Sequence, residues 1–278
     1  MITAYRQPKT LDEALQLIAQ GARPVGGATA LYSSKSKPDG ELVDLAQLGL
    51  SALAVEPGLI ELGATCTLAA IGDAEQLPGA EGALLRLGSR GPASRPLRNA
   101  ITLGGNIAQA AYWADMPVVL LALDAQVEIG RAGEPSQRIP LAECFAPGKK
   151  AWERGLITKV IVPRREANRG FGYERFSRTK NEYSFATLCV TLDRDGGVAR
   201  NVRVVVGALQ ARPFRVAEVE AMVEGKVLDV ALCEAAGRML AETAKVAPNP
   251  RASADYRREL AGVLCKRALL AAFGMDAG

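Results

Sequence analysis

Histidine is absent from this chain of 278 residues. Its absence excludes the Ser–His and Cys–His pairs that activate a nucleophile, and it excludes every metal site that uses imidazole ligands. Chemistry at this protein therefore depends on a bound cofactor or on the side chains of Asp, Glu, Lys, Tyr or Cys.

Cysteine is scarce, and its five positions are scattered along the chain. No two of them have the Cys-x-x-Cys spacing, and an odd, dispersed set argues against a disulfide framework or a metal cluster held by this chain alone. We predict that all five are small buried hydrophobic residues and that the chain has no metal site of its own. They are Cys66, Cys144, Cys189, Cys233 and Cys265.

Long apolar runs and basic tracts are also missing. No apolar stretch is long enough to cross a bilayer, and the N-terminal residues lack the charged-then-apolar pattern of a secretion signal. The formal net charge is only +4, with no basic tract interleaved with aromatics, so nucleic-acid binding is not indicated. We expect a soluble, cytoplasmic protein with no membrane span, exported or membrane-associated only through a partner.

Two Gly-Gly segments are the most informative part of the sequence. The first is RPVGGATAL at residues 23–31, and the second is ITLGGNIAQAAYWAD at residues 101–115. Paired glycines allow a backbone to approach a ligand closely, and successive N–H groups in such a turn form a concave site for a phosphate. A single Gly-Gly pair more often marks only a tight turn. Two such segments, each with a nearby threonine, predict two loops that close on one diphosphate.

Polar side chains around these segments are candidate cofactor contacts. Thr29, Thr102 and Asn106 offer hydrogen-bond donors, and Asp115 follows Asn106 by nine positions. At that spacing the Asp115 carboxylate could accept from a hydroxyl or an N–H group further along the same ligand. The sequence predicts no catalytic acid or base among these residues.

The first half of the chain predicts short strands and helices around the glycine segments. We expect a capped helix from Thr10, a strand near Pro24, strands at 42–45 and 59–64, and a short helix at 68–73. The GxGxxG pattern is missing and residues 31–40 do not indicate a crossover helix, so a Rossmann fold is excluded. Residues 84–99, interrupted by Pro92 and Pro96, predict irregular structure.

The second half predicts strands followed by helices. A buried helix at 118–123 leads into strands at 126–129 and 157–162. Strands at 171–176 and 184–192, a hairpin turn at 193–197 and a strand at 199–209 precede three amphipathic helices. This order favours an α+β domain made of one sheet covered by helices.

The motifs resemble those of the FAD-binding medium subunit of the molybdenum hydroxylases, the xanthine, carbon monoxide and aldehyde dehydrogenase type. The AGGTDL-like first loop of that family is similar to residues 25–31. Its RNxxTxGGNIxxAxPxxD-like second loop is similar to the segment from Arg98 to Asp115, and its RASxxYR segment to residues 251–258. The resemblance covers essentially the whole chain.

The resemblance implies a fold and a cofactor site. The implied fold class is α+β: a two-loop FAD-binding α/β domain at 1–170, with subdomains at about 1–55 and 56–170, and an α+β C-terminal domain at 171–278. The implied cofactor is non-covalent FAD, and the strand at 157–162 is implied to contribute backbone to it. The expected FAD contacts are Pro24, Val25, Gly26, Gly27, Ala28, Thr29, Ala30, Thr102, Gly104, Gly105, Asn106, Asp115 and Ile157.

One charged segment departs from the family pattern K-x-x-x-R-R-x-x-x-D-x-A. Arg178 matches it, but Glu182 replaces the usual Asp and Glu174 stands where a Lys is common. The change at Glu174 would reverse a charge near the expected flavin and affect the choice of electron acceptor.

The function implied by the resemblance is electron transfer within a heterotrimer, with a dimer of heterotrimers as one arrangement it allows. A large molybdopterin subunit would oxidise the substrate, a small subunit would hold two 2Fe-2S clusters, and FAD on this chain would pass electrons to NAD or a quinone-like acceptor. One alternative is a self-sufficient flavoprotein oxidase of the related two-loop fold. Another is a non-catalytic scaffold whose glycine loops are only structural.

Overall fold

The computed structural model describes residues 1–33, 39–91, 93–146, 148, 151–165 and 168–276. The chain forms two compact units, each assembled from separate stretches of sequence. The first unit contains residues 1–74, 93–109 and 124–163, and the second contains residues 75–92, 110–123 and 164–278. The division of the sequence at residue 170, and the subdomains before it, stay predictions.

The described residues mix strands and helices throughout, which confirms the predicted α+β class. The strands are β1 Ile2–Arg6, β2 Arg23–Val25, β3 Gly40–Asp44, β4 Leu53–Glu56, β5 Leu59–Gly63, β6 Gln126–Arg131, β7 Glu134–Pro140, β8 Leu156–Pro163, β9 Arg169–Phe176, β10 Ala186–Asp195, β11 Val198–Gly207 and β12 Phe214–Arg215. The helices are α1 Leu11–Ala19, α2 Thr29–Ser33, α3 Leu68–Asp73, α4 Gly79–Arg90, α5 Arg95–Ala100, α6 Leu103–Gln109, α7 Asp115–Ala122, α8 Leu141–Cys144, α9 Ala217–Val223, α10 Val230–Thr243 and α11 Ala254–Phe273.

Two sheets form the first unit. A small parallel sheet has the order β1-β3-β2, and an antiparallel sheet has the order β4-β5-β8-β6-β7. Helix α1 is capped by Thr10, whose hydroxyl accepts from the Glu13 N–H at 3.2 Å, as predicted. The Glu13 carboxylate accepts in turn from the Lys9 N–H at 2.9 Å. The apolar face of α1 contributes Leu15 to a core that also contains residues of β3 and β8.

The second unit is built on one antiparallel sheet of order β12-β11-β10-β9. Alternate residues of a strand point to opposite faces of its sheet. On β10, Leu188 and Val190 belong to the core shared with α9, α10 and α11. Thr187 and Thr191 instead donate to Asp115 and to the Ala122 carbonyl of α7. Because helices cover both faces, β10 is buried along most of its length, as expected for a doubly covered strand.

The prediction of irregular structure at 84–99 is wrong. Helix α4 spans Gly79–Arg90 and buries Leu84 and Leu85, and α5 begins at Arg95. Pro96 lies in the first turn of α5, where the N–H that proline lacks has no partner within the helix anyway. Pro92 lies outside the described residues. Pro96 therefore marks the start of a helix and not a break in regular structure.

A buried ion pair joins α4 to strand β9 within the second unit. The Glu81 carboxylate lies 3.1 Å from the Arg169 guanidinium, and both side chains are only 3% exposed. Glu81 also accepts from the Arg165 N–H at 3.2 Å. Segments before residue 124 therefore complete a unit whose sheet comes from the C-terminal part of the chain.

A chain cut at residue 170 should lose the folded state of its second-unit segments. It would keep α4 and α7 but lose β10 and β11, on which α7 packs, whereas it would keep every segment of the first unit. We expect protease to cleave residues 75–91 and 110–123 of the truncated chain rapidly and to leave the first-unit segments protected for longer. The full-length chain, in which both stretches should resist cleavage, is the control. Equal protection of these stretches in the two chains would contradict this expectation.

Candidate functional site

The structure brings the two glycine segments into direct contact within the first unit. A Cβ atom added to Gly26 would lie 2.7 Å from the Thr102 Oγ1 atom. One added to Gly27 would lie 1.4 Å from the Ala100 carbonyl oxygen, far inside van der Waals contact. Gly27 is therefore required because two backbones pass against each other, whether or not a ligand is bound.

The second Gly-Gly pair does not form a loop. It lies in the first turn of helix α6. The Leu103 and Gly104 N–H groups donate to the Cys66 and Ala64 carbonyls, both at 2.8 Å. The Gly105 N–H donates to Thr102 Oγ1 at 3.3 Å, as in a helix N-cap. Most N–H groups of this segment that were expected to face a ligand therefore donate to acceptors within the protein.

The first segment keeps its backbone donors free. The N–H groups of Gly26, Gly27 and Ala28 donate to no other residue in the part of the chain that the structure describes. Ala28 has φ +57°, a left-handed conformation. Successive N–H groups around such a residue form a concave anion site, the arrangement called a nest. The nest follows directly on β2, which ends at Val25.

Asn106 supplies a buried acceptor on the second segment. Its Oδ1 atom has no hydrogen-bond partner among the described residues and is shielded from solvent. Buried polar atoms are nearly always paired, so an unpaired one calls for an explanation. A hydroxyl or N–H group of a ligand would satisfy it.

The remaining predicted contacts in the first unit lie around these groups or deeper in the fold. Pro24 is exposed and Val25 is buried at the end of β2, and Thr29 and Ala30 are half-buried in α2. Ile157 is 4% exposed on β8, opposite Ile129 of β6. Its side chain is therefore part of the core, and only its backbone is available for the predicted contact.

Asp115 belongs to the second unit and has partners within it. Its side chain is fully buried. Oδ2 accepts from Arg175 Nε at 2.8 Å, and Oδ1 accepts from the Thr187 hydroxyl at 3.0 Å. Burial raises the pKa of the Asp115 carboxyl, while the charge of Arg175 opposes that rise. Both carboxylate oxygens thus have protein donors, and the role predicted for Asp115 as a ligand acceptor is not visible in its contacts.

Arg175 is the partner of Asp115, and the sequence analysis does not predict it. Strand β9 places it toward Asp115, and it also donates to Ser177 Oγ at 2.7 Å and to the Glu182 carbonyl. Glu174, one residue earlier, interacts instead with Arg267 of α11, while its burial raises the pKa of its carboxyl. The period of two along a strand was the available signal, because it separates adjacent charges onto opposite faces.

No metal site is found among the described residues, in which no cluster of three or more Cys, Asp or Glu side chains could hold an ion. All five cysteines are buried free thiols, as predicted, and burial raises the pKa of Cys144 and of Cys233 to about 11. No helix in the described ranges is both long and apolar enough to span a membrane.

Comparison with known proteins identifies relatives along the whole chain. Residues 1–165 match the family model described as the FAD binding domain in molybdopterin dehydrogenase. Residues 171–272 match the model described as the CO dehydrogenase flavoprotein C-terminal domain. The carbon monoxide dehydrogenase medium chain of Afipia carboxidovorans is 27% identical, over 95% of this chain and 94% of that protein.

Two further relatives agree in length and in fold. The nicotine 6-hydroxylase medium subunit of Paenarthrobacter nicotinovorans is 26% identical over 96% of both chains. A chain in the crystal structure of the Cu,Mo-CO dehydrogenase, in its cyanide-inactivated form, superposes with a TM-score of 0.90. It is 25% identical, and the match covers 99% of this chain and 98% of that one.

Replacing Asp115 tests whether its role is structural. Asp115→Asn keeps the side-chain shape but leaves the Arg175 guanidinium buried without a counter-ion. We expect the free energy of unfolding of the apoprotein to fall by about 3–5 kcal/mol, the usual loss when one partner of a buried ion pair is removed. Urea denaturation measures it, and Arg175→Met added to the same chain should recover part of the loss. Unchanged stability with lost FAD binding would show instead that Asp115 is a cofactor ligand.

Proposed function

This chain belongs to the family of FAD-binding domains of molybdopterin dehydrogenases, and we propose that it is the electron-transfer subunit of a heterotrimeric molybdenum hydroxylase. The flavoprotein C-terminal family model and the two relatives named as medium chain or medium subunit support that position in an assembly. The word medium in both names supports a small and a large partner, and we propose that the small one holds 2Fe-2S clusters and the large one molybdopterin. We propose a cytoplasmic location for the complex.

The observation that carries the proposal is the nest of free N–H groups at Gly26, Gly27 and Ala28. A diphosphate is rich in acceptor oxygens and carries negative charge, so three successive N–H donors without partners in the protein suit it. The unpaired Asn106 Oδ1 on the adjoining segment suits a hydroxyl or ring N–H donor of the same ligand. The residues present therefore fit FAD, which has both kinds of group.

The chain would supply binding and orientation, and the cofactor would supply the redox chemistry. Bound FAD exchanges electrons with one-electron carriers and with two-electron acceptors. Gly26, Gly27 and Ala28 would hold the diphosphate, and Thr29 and Asn106 would add side-chain contacts. Thr102, whose hydroxyl caps α6, would act on the site by holding the second segment against the first. An acceptor such as NAD or a quinone belongs to the same proposal.

The first experiment is an absorption spectrum of the purified full-length chain, followed by release and identification of its cofactor. We expect about one non-covalent FAD per chain. Reduction of that flavin by an organic substrate in the absence of partners would favour a self-sufficient oxidase. A colourless chain that does not bind added FAD would contradict the proposed function and favour a scaffold.

The two glycines of the second segment should respond differently to substitution. Gly105 is exposed, and a Cβ there meets only Thr102 Oγ1, at 2.8 Å. Gly105→Val should therefore leave a folded chain that purifies without FAD, because the branched side chain occupies the surface proposed for the ligand. A Cβ on Gly104 would lie 2.8 Å from the Ala64 Cβ. Gly104→Ala should therefore lower the free energy of unfolding, by about 1–3 kcal/mol as for other overpacked sites.

Flavin content per chain and the denaturation midpoint separate these two effects. A folded Gly105→Val variant with full flavin occupancy would place the cofactor elsewhere. Loss of flavin in Gly104→Ala without any loss of stability would show that this glycine, too, faces the ligand.

A further inference from the structure

Ala28 has a backbone conformation that costs energy for its residue type. Its φ of +57° lies in the left-handed region, where a Cβ atom crowds the following carbonyl oxygen. Glycine avoids this crowding and is the usual residue in such a position. The chain nevertheless has a methyl group here, directly after two glycines.

Packing explains how the unfavourable conformation is held. The Ala28 side chain packs against the small core cluster of Val25, Leu31 and Leu42. Its carbonyl accepts from the Leu31 N–H at 3.0 Å. Residue 28 is therefore fixed through its methyl group and its carbonyl, while its N–H donates to no described residue. A glycine would keep the carbonyl contact but would lose the methyl contact.

The fixed conformation also determines the direction of a neighbouring donor. The φ of Ala28 sets the angle between its own peptide N–H and the next one, that of Thr29. A left-handed residue within a turn is one of the conformations that direct successive N–H groups toward an anion. The N–H groups of Gly26, Gly27 and Ala28 are all without partners among the described residues, so no hydrogen bond of their own fixes their direction.

We propose that Ala28 is a positioning residue: its methyl group, packed on Val25, Leu31 and Leu42, holds the left-handed backbone that organises the phosphate nest before the cofactor binds. This inference rests on the proposed FAD site and adds to it a residue that acts through the backbone. A flexible segment must be ordered when the ligand binds, and the ordering weakens the apparent affinity. A segment ordered beforehand avoids that loss.

The test compares Ala28→Gly with the unchanged full-length apoprotein. Glycine removes the left-handed strain but also removes the methyl contact and makes the unfolded chain more flexible. These effects oppose each other, so we expect the thermal midpoint of the apoprotein to move by less than about 2 °C. We expect the dissociation constant for FAD to rise about tenfold, because only about a tenth of the molecules would have the nest preformed.

The ratio of the dissociation constants for FAD and riboflavin is the readout that a purely structural role would not change, because a general loosening of the site would weaken both. Riboflavin lacks the diphosphate, so its dissociation constant should be the same for Ala28→Gly and for the unchanged chain. Ala93 provides a matched control, because it is another left-handed alanine of the first unit, with φ +65° and a carbonyl that accepts from Arg98 at 2.6 Å. Ala93→Gly should leave both dissociation constants unchanged.

Flavin fluorescence titrations of the three chains distinguish the outcomes. Equal FAD affinity of Ala28→Gly and the unchanged chain would overturn the role of Ala28 and leave the FAD site intact. Equal weakening by Ala93→Gly, or equal weakening toward riboflavin, would also overturn it, since the effect would then not come from the nest. Failure of the unchanged chain to bind FAD would overturn the proposed function together with this inference.

Discussion

The contact between Gly27 and the Ala100 carbonyl is the constraint on which the candidate site depends. At that point two backbones approach so closely that no side chain fits between them. The contact sets the end of β2 against the connection between α5 and α6, which are distant in sequence. The nest and Asn106, the other features of the site in the first unit, lie on the two segments that this contact brings together.

Two segments that look alike in sequence have different roles at this contact. The segment at Gly26 and Gly27 ends a strand of the parallel sheet and keeps its N–H groups free. The segment at Gly104 and Gly105 begins a helix, and its N–H groups are directed to Ala64, Cys66 and Thr102. The first segment is thus suited to bind an anion. The second is suited to support the first and to present Asn106.

The second unit depends on buried charges that join parts of the chain far apart in sequence. Glu81 pairs with Arg169, and Asp115 pairs with Arg175. In both pairs the carboxylate lies in the first turn of a helix, α4 or α7, and the arginine lies on β9. A buried ion pair adds little net stability, but leaving one partner alone is costly, so each pair favours one arrangement of its elements.

Much of the fold followed from local patterns in the sequence. The capped helix α1, the strands around residues 24, 42 and 60, the hairpin at Gly196 and Gly197, and the three C-terminal helices all have the predicted type. Each of these depends on hydrophobic periodicity, caps or turn residues, which act over a few positions. The prediction for residues 84–99 failed because Pro96 lies at the start of a helix, and a proline that starts a helix cannot be told from one that interrupts a helix by sequence alone.

The sequence by itself determined the family, the cofactor class, the buried state of the cysteines and most helices and strands, since these are encoded in motifs and short-range periodicity. Tertiary structure alone decided that the second glycine pair begins a helix, that Asp115 faces Arg175, and that Glu174 faces the other side of β9. The physical reason is that a hydrogen-bond donor or a carboxylate is used by whichever partner folding brings near it. For Gly104 and Asp115 those partners lie 40 and 60 positions away in the chain.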